Sequence, residues 1–185
     1  MTTIIAIQQK GKVLFGADSQ ITAGNGRVQK HKEMIKISER GPFIIAGSGE
    51  CAPCDIAQHI WNPPRPTGNE WQDLYHFMIA KVIPSLKAVF KENEYKWDVD
   101  DDEQKFCFLM AIGGQVFEIA DDMSVSLTDT GFFGVGSGSS YAIGALEAGA
   151  SLSEALEISA RNDAYTSPPF IYYTQSQPRK AVRRK

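Results

Sequence analysis

Cysteine and histidine are both scarce, with three of each in 185 residues. So few thiols exclude a disulfide framework and suit a reducing compartment. Cys51-Ala-Pro-Cys54 has the spacing of a redox motif, but a zinc ribbon needs a second pair, which Cys107 and His59 do not supply. No metal or other cofactor is expected, and His31, His59 and His76 read as surface or helix-face residues. Long apolar runs are also missing. The one at the N-terminus is too short for a signal peptide and runs into charged, turn-forming residues, and nothing approaches membrane-spanning length. A cytoplasmic protein with no membrane partner is the expectation. Strong charge of one sign is lacking too: the net charge is −3, with 22% charged residues. That argues against nucleic acid as a partner. The basic end PRKAVRRK reads as a solvated tail, and DVDDDE (98–103) as an exposed connector.

What is present suits one domain with a full core: 43% of residues are hydrophobic. TTIIAIQQ and KVLFGAD read as strands about a Lys10-Gly11 turn, and SQITAGNGRVQ continues the pattern through Gly24-Asn25-Gly26. MIKIS and PFIIAGSG form another pair. A helix is expected from Glu50 to Trp61, then a longer one from Glu70 to Asn93 with apolar residues at Trp71, Leu74, Met78, Val82, Leu86 and Val89. Pro84 should kink or split it. KFCFLMAI, GQVFEIA, SVSLT and FFGVGSG supply a second set of strands. Helices follow over 140–148 and 152–164, the second opened by a Ser151/Glu154 capping box, and FIYYT closes the sheet. Alternating βαβ units are absent, which disfavours a doubly wound parallel sheet. The pattern predicts an α+β fold: a four-layer αββα sandwich of two antiparallel sheets flanked by helices, over residues 1–177, with 178–185 as the basic tail.

The chemistry starts at Met1-Thr2-Thr3. Ile4, Ile5 and Ile7 make the first residues look like core, although most N-termini fray. Methionine aminopeptidases remove Met before threonine, and loss of Met1 leaves Thr2 with a free α-amino group. That amine, with a reference pKa of roughly 7.7–8.0, sits within reach of its own hydroxyl as a general base, so nucleophile and base come from one residue. Such a site needs a carboxylate, a cation and backbone donors around it. Asp18 ends the second strand beside the start of the first. Ala46 to Gly49 place glycine amides at a strand-to-helix turn. Gly136 to Ser140 bring hydroxyls to another, and NDAYTS adds Asp163 and Thr166.

TTIIAI, GADSQITAGN, IIAGSGE, GVGSGSSYAIGALEAG and NDAYTS, in that order across nearly the whole chain, resemble the proteasome β-subunit and HslV peptidase family. These are threonine proteases of the N-terminal-nucleophile (Ntn) hydrolase superfamily. The resemblance implies Thr2 as nucleophile, Asp18 as the carboxylate that positions a cation, and the Gly47 amide as oxyanion donor. Ser137, Asp163 and Thr166 become the outer hydrogen-bonding set around the N-terminal amine. Ser19, Gln20, Ile21 and Thr22 on one side and Gly47, Ser48 and Gly49 on the other would flank an extended substrate strand. It further implies self-association into stacked rings, unfolded polypeptide as substrate, and a separate ATP-driven unfoldase as partner, since no residues for ATP hydrolysis are visible.

One departure bears on activity. Aligning Met34 and Ile37 with the family's apolar positions puts Glu33 where a lysine is expected, and a carboxylate there would oppose an ionised nucleophile. Strand alternation points the flanking Lys32 and Lys36 to the opposite face; a bulge or one-residue slip would bring Lys32 inward. Two readings stay open: a peptidase with Lys32 supplying the charge, and an inactive ring-forming or scaffold subunit. GVGSGSS as a phosphate cradle is a third, disfavoured because it opens no βαβ unit.

Overall fold

The computed structural model describes residues 2–22, 28–29, 35–97 and 105–177. Alternation drives the first sheet. β1 (Ile4–Gln9) pairs antiparallel with β2 (Lys12–Ala17), and β10 (Phe132–Val135) and β11 (Ile171–Ser176) flank them in the order β10-β1-β2-β11. Ile4 and Ala6 face one side and Ile5 and Ile7 the other, each set in a different buried cluster, as a side-chain period of two requires.

The second sheet has the order β5-β6-β7-β8-β9, built from β5 (Ile37–Arg40), β6 (Phe43–Gly49), β7 (Phe106–Ile112), β8 (Gln115–Ala120) and β9 (Val125–Ser126). β7 is buried along its whole length, because it has a layer on each face. Ile4, Phe15, Ile37, Ile44, Leu109 and Phe133 fill the space between the two sheets. The outer face of the five-stranded sheet packs on α1 (Cys51–Asp55), α2 (Leu74–Phe77) and α3 (Ile83–Glu92) through Trp61, Met78, Leu86, Phe90 and Phe108. The outer face of the four-stranded sheet packs on α4 (Ser139–Glu147) and α5 (Leu152–Asn162) through Ile5, Ala142, Leu146 and Leu156. The architecture is the four-layer αββα sandwich. A small ladder of β3 (Ile21–Thr22) and β4 (Val28–Gln29) stands beside it.

Two helical expectations change in detail. The long helix starts at Leu74, not Glu70, because the Asp73 carboxylate accepts from His76 N at 3.0 Å and caps it there. Trp71 therefore lies in a separate short turn, Gly68–Gln72, and is 39% exposed. At Pro84 the chain stays helical but changes helix type. Pro84 sits in the first turn of α3, directly after a wide π-helical stretch over Met78–Val82 that accommodates the missing N–H. The Ser151/Glu154 capping box forms as expected, with Ser151 N donating to Glu154 Oε2 at 2.8 Å. The expected turn at Gly24-Asn25-Gly26, the acidic connector and the basic tail lie outside the described residues.

Candidate active site

Strand pairing sets Ile4 opposite Ala17, which brings the residues just before β1 against those just after β2. There Asp18, fully buried, gathers donors. Thr2 Oγ1 donates to its Oδ1 at 2.7 Å, Thr3 N at 2.9 Å and Lys36 Nζ at 2.6 Å. Oδ2 accepts from Gln20 N at 2.9 Å and Ser167 N at 3.3 Å. A carboxylate this far from solvent keeps its charge only with such partners. The Lys36 ammonium is itself almost enclosed, its side chain 11% exposed. Burial lowers its pKa below the ordinary lysine value, and the Asp18 charge and hydrogen bond offset part of that.

Lys36 is thus the cation of the site, and its expected position on the opposite face is corrected. Alternation binds only residues inside a strand, and β5 begins one residue later, at Ile37, which anchors in the core between the sheets. Lys36 lies at the bend before it. Its carbonyl is held twice, by Gly47 N at 3.2 Å and by the buried Gln58 Nε2 at 3.0 Å. Lys32 and Glu33 lie outside the described residues.

That same bond corrects Gly47. Its amide serves the ladder to Lys36. Glu50 N donates to Lys105 O at 2.8 Å, so at this end of β6 the even-numbered amides face β7 and the odd-numbered ones face β5. Gly49 N–H therefore points as Gly47 N–H does, but two residues on, past the start of β5. Gly49 has φ +110°, and a Cβ there would stand 2.2 Å from Lys105 O, so only glycine fits.

A second polar chain reaches Thr3. Thr166 Oγ1 donates to Asp163 Oδ2 at 2.6 Å, Ser137 Oγ donates to the same oxygen at 2.8 Å, and the Thr3 hydroxyl meets Thr166 Oγ1 at 2.6 Å. With the Thr166 proton on Asp163, Thr3 is the donor in that last pair. Gly138 N donates to Thr2 O at 3.3 Å. A Cβ on Gly138 would stand 2.0 Å from Thr3 Oγ1, so the loop approaches the N-terminal strand as closely as a backbone can.

Thr2 opens onto a cavity of about 90 Å³ lined also by Gln20, Ile21, Thr22, Ile35, Lys36, Gly47, Ser48, Gly49, Glu50, Cys51, Cys54, Asp55 and Gln58. Six of the seven expected substrate-flanking residues line it. Ser19 does not; its amide donates to Ser167 O at 3.3 Å. Gln20 serves the frame as well, donating through Nε2 to Ala164 O and Thr22 Oγ1, each at 3.0 Å. Thr3 and Gln58 escape the sequence reading, which names Lys36 but assigns it to the opposite face. A threonine two residues from the start gave Thr3 a signal; Gln58 gave none. Among the described residues no cluster of histidine, cysteine and carboxylate side chains could hold a metal ion, and no helix is long and apolar enough to cross a membrane.

The fold has counterparts of known structure. Thiobacillus denitrificans BPH in complex with epoxomicin superposes with a TM-score of 0.73 at 18% identity, covering 95% of this chain and 99% of that one. Eukaryotic HslV from Trypanosoma brucei superposes with a TM-score of 0.65 at 16% identity, covering 95% and 99%. Anbu (ancestral beta-subunit) from Yersinia bercovieri gives 0.65 at 13%, covering 94% and 81%. The fold is that of the HslV- and proteasome-like Ntn hydrolases. No family model matches the sequence. At these identities the Ntn-hydrolase sandwich is the shared feature, and the chemistry must be argued from the side chains.

Proposed function

We propose that the chain is a threonine-type endopeptidase subunit whose nucleophile is the Thr2 hydroxyl, freed for catalysis when Met1 is removed. The observation that carries this reading is the convergence of Thr2 Oγ1 and Lys36 Nζ on one oxygen of Asp18 at the edge of a cavity. The Lys36 cation favours the developing alkoxide, and Asp18 holds both groups in place. The Thr2 α-amine takes the hydroxyl proton, directly or through one water, as Oγ1 bonds to the scissile carbonyl carbon. Gly49 N–H is the oxyanion donor in this scheme. Collapse of the tetrahedral species breaks the C–N bond, the amine returns the proton to the leaving nitrogen, and an ester on Thr2 remains. Water, activated by the same amine, hydrolyses that ester and restores the hydroxyl.

An open site of this kind would be hazardous to other proteins. Stacked rings of this chain would enclose it, with unfolded polypeptide fed by a separate ATP-driven unfoldase, as the likeness to HslV suggests. The alternative, an inactive scaffold subunit, has Glu33 at the lysine position as its best support; Lys36 on Asp18 favours the peptidase reading, and retention of Met1 would favour the scaffold. The test is an intact mass before and after incubation with a peptide epoxyketone, the reagent class that needs both the hydroxyl and the free amine. A chain lacking Met1 that gains one adduct, lost in Thr2→Ala, is the expected result. A chain that retains Met1 and gains nothing would overturn the reading.

A further inference from the structure

The cavity beside Thr2 has an unbalanced charge. Glu50 and Asp55 both line it, and both are exposed to it and to solvent. Glu50 is held by the Tyr95 hydroxyl, which donates to its Oε2 at 3.0 Å, so the carboxylate is fixed as an acceptor. Lys36 is the one cation lining the cavity among the described residues, and its charge is already matched by Asp18 at 2.6 Å. Among the described residues lining the cavity, that leaves two carboxylates with no cation of their own. The lining also includes the apolar Ile21 and Ile35, and Gly47, which has no side chain to fill the space. Such a lining suits an aliphatic stem, with the charge meeting carboxylates at its far end.

We infer that this cavity takes a cationic side chain, arginine or lysine, from the residue on the acyl side of the bond that Thr2 would cut. The inference rests on the Thr2 reading and adds the substrate class to it. An acidic side chain would enter a field of its own sign at short range, which costs affinity, and a branched apolar one would leave both carboxylates without a new partner. Arginine would engage a carboxylate through two parallel N–H donors, and lysine as a point charge.

The test uses the full-length chain and three fluorogenic peptide amides that differ only in arginine, leucine or aspartate before the scissile bond. A matched pair of epoxyketones bears arginine or leucine at the same place. The arginine substrate should exceed leucine in kcat/KM by about tenfold or more, with aspartate last, and added salt should narrow the gap. Asp55→Asn should cut the arginine-to-leucine ratio, Glu50→Gln should cut it less, and Asp55→Lys should invert it. Asp55 is exposed, so these chains should fold, and the leucine epoxyketone adduct reports whether each still has a working nucleophile. A wild-type preference for leucine, or a ratio that none of the three variants moves, would overturn the inference while leaving Thr2 as nucleophile. Absence of cleavage and of any adduct in the wild-type chain would sink the Thr2 reading, and this inference with it.

Discussion

Two buried carboxylates bracket the N-terminal strand, and they are built differently. Asp18 takes five donors over its two oxygens, one of them an ammonium and three of them backbone amides. Asp163 is 9% exposed and takes two hydroxyls on a single oxygen. Backbone amides and a clamped lysine cannot reorient without moving the strands that carry them. Hydroxyls turn about one bond and can exchange partners at little cost. The first carboxylate is therefore a fixed electrostatic fixture, and the second is an adjustable relay that reaches Thr3 through Thr166. Consecutive side chains on an extended chain point to opposite faces, so Thr2 answers to the rigid side and Thr3 to the soft one.

The largest effect should come from breaking the rigid side. Lys36→Met keeps the stem and removes the charge. Epoxyketone labelling and peptide cleavage should fall by about 10²–10³-fold, the scale seen for deleting one preorganised electrostatic contact. Stability should fall as well, by roughly 1–3 kcal/mol in urea unfolding, because methionine offers the buried Asp18 no N–H donor, charged or neutral. The pH dependence has a defined sign. Burial lowers the Lys36 pKa in the folded chain below the ordinary lysine value of 10.5. Between the lowered value and 10.5 the unfolded chain therefore holds more protons, so stability contributed by this group rises with pH there. Below the lowered value the cost of burying the charge is present in full. Wild type should show that alkaline rise and Lys36→Met should lack it.

Breaking the soft side should matter less. Thr166→Val leaves Thr3 and Asp163 without the hydroxyl between them and should cost about 1–3 kcal/mol, with a smaller loss of labelling than Lys36→Met. Ser137→Ala, at an exposed position, should cost about 0.5–1.5 kcal/mol or less. If Ser137→Ala proved as damaging as Lys36→Met, the contrast between fixture and relay would collapse. The smallest effect concerns the thiols near the cavity. Burial pushes the Cys54 and Cys107 thiols up to about 12, so at pH 7.5 iodoacetamide should modify the exposed Cys51 well ahead of either. Peptide mapping after brief alkylation reads this directly.

The sandwich itself was legible in the sequence, because short continuous apolar runs such as FCFLMAI mark strands covered on both faces and helical spacing marks the layers that cover them. Asp18, Asp163, Thr166 and Ser137 were legible as polar groups at strand and helix ends, and the structure brings them together around Thr2 and Thr3. Lys36 was not, because its direction depends on where β5 starts, and that start is set by Ile37 finding the core and by Gln58 capturing the preceding carbonyl. The proposed exchange of Gly47 for Gly49 as oxyanion donor has the same origin. Which amides of a strand are spent on a ladder depends on the extents of its two neighbours, which no local pattern encodes. Asp73 could have been read as a helix cap, but the apolar Trp71 in register drew the expected start upstream.

Ser137 stands between two glycines whose side-chain positions are already filled. A Cβ on Gly136 would lie 2.1 Å from Thr2 O, and one on Gly138 would lie 2.0 Å from Thr3 Oγ1. Neither neighbour can be varied without displacing the N-terminal strand, while Ser137 faces solvent with only its hydroxyl engaged. For anyone wishing to retune this protein, that residue is a natural dial: threonine, asparagine or cysteine there would alter what meets Asp163 while the strand bearing Thr2 stays where the two glycines pin it.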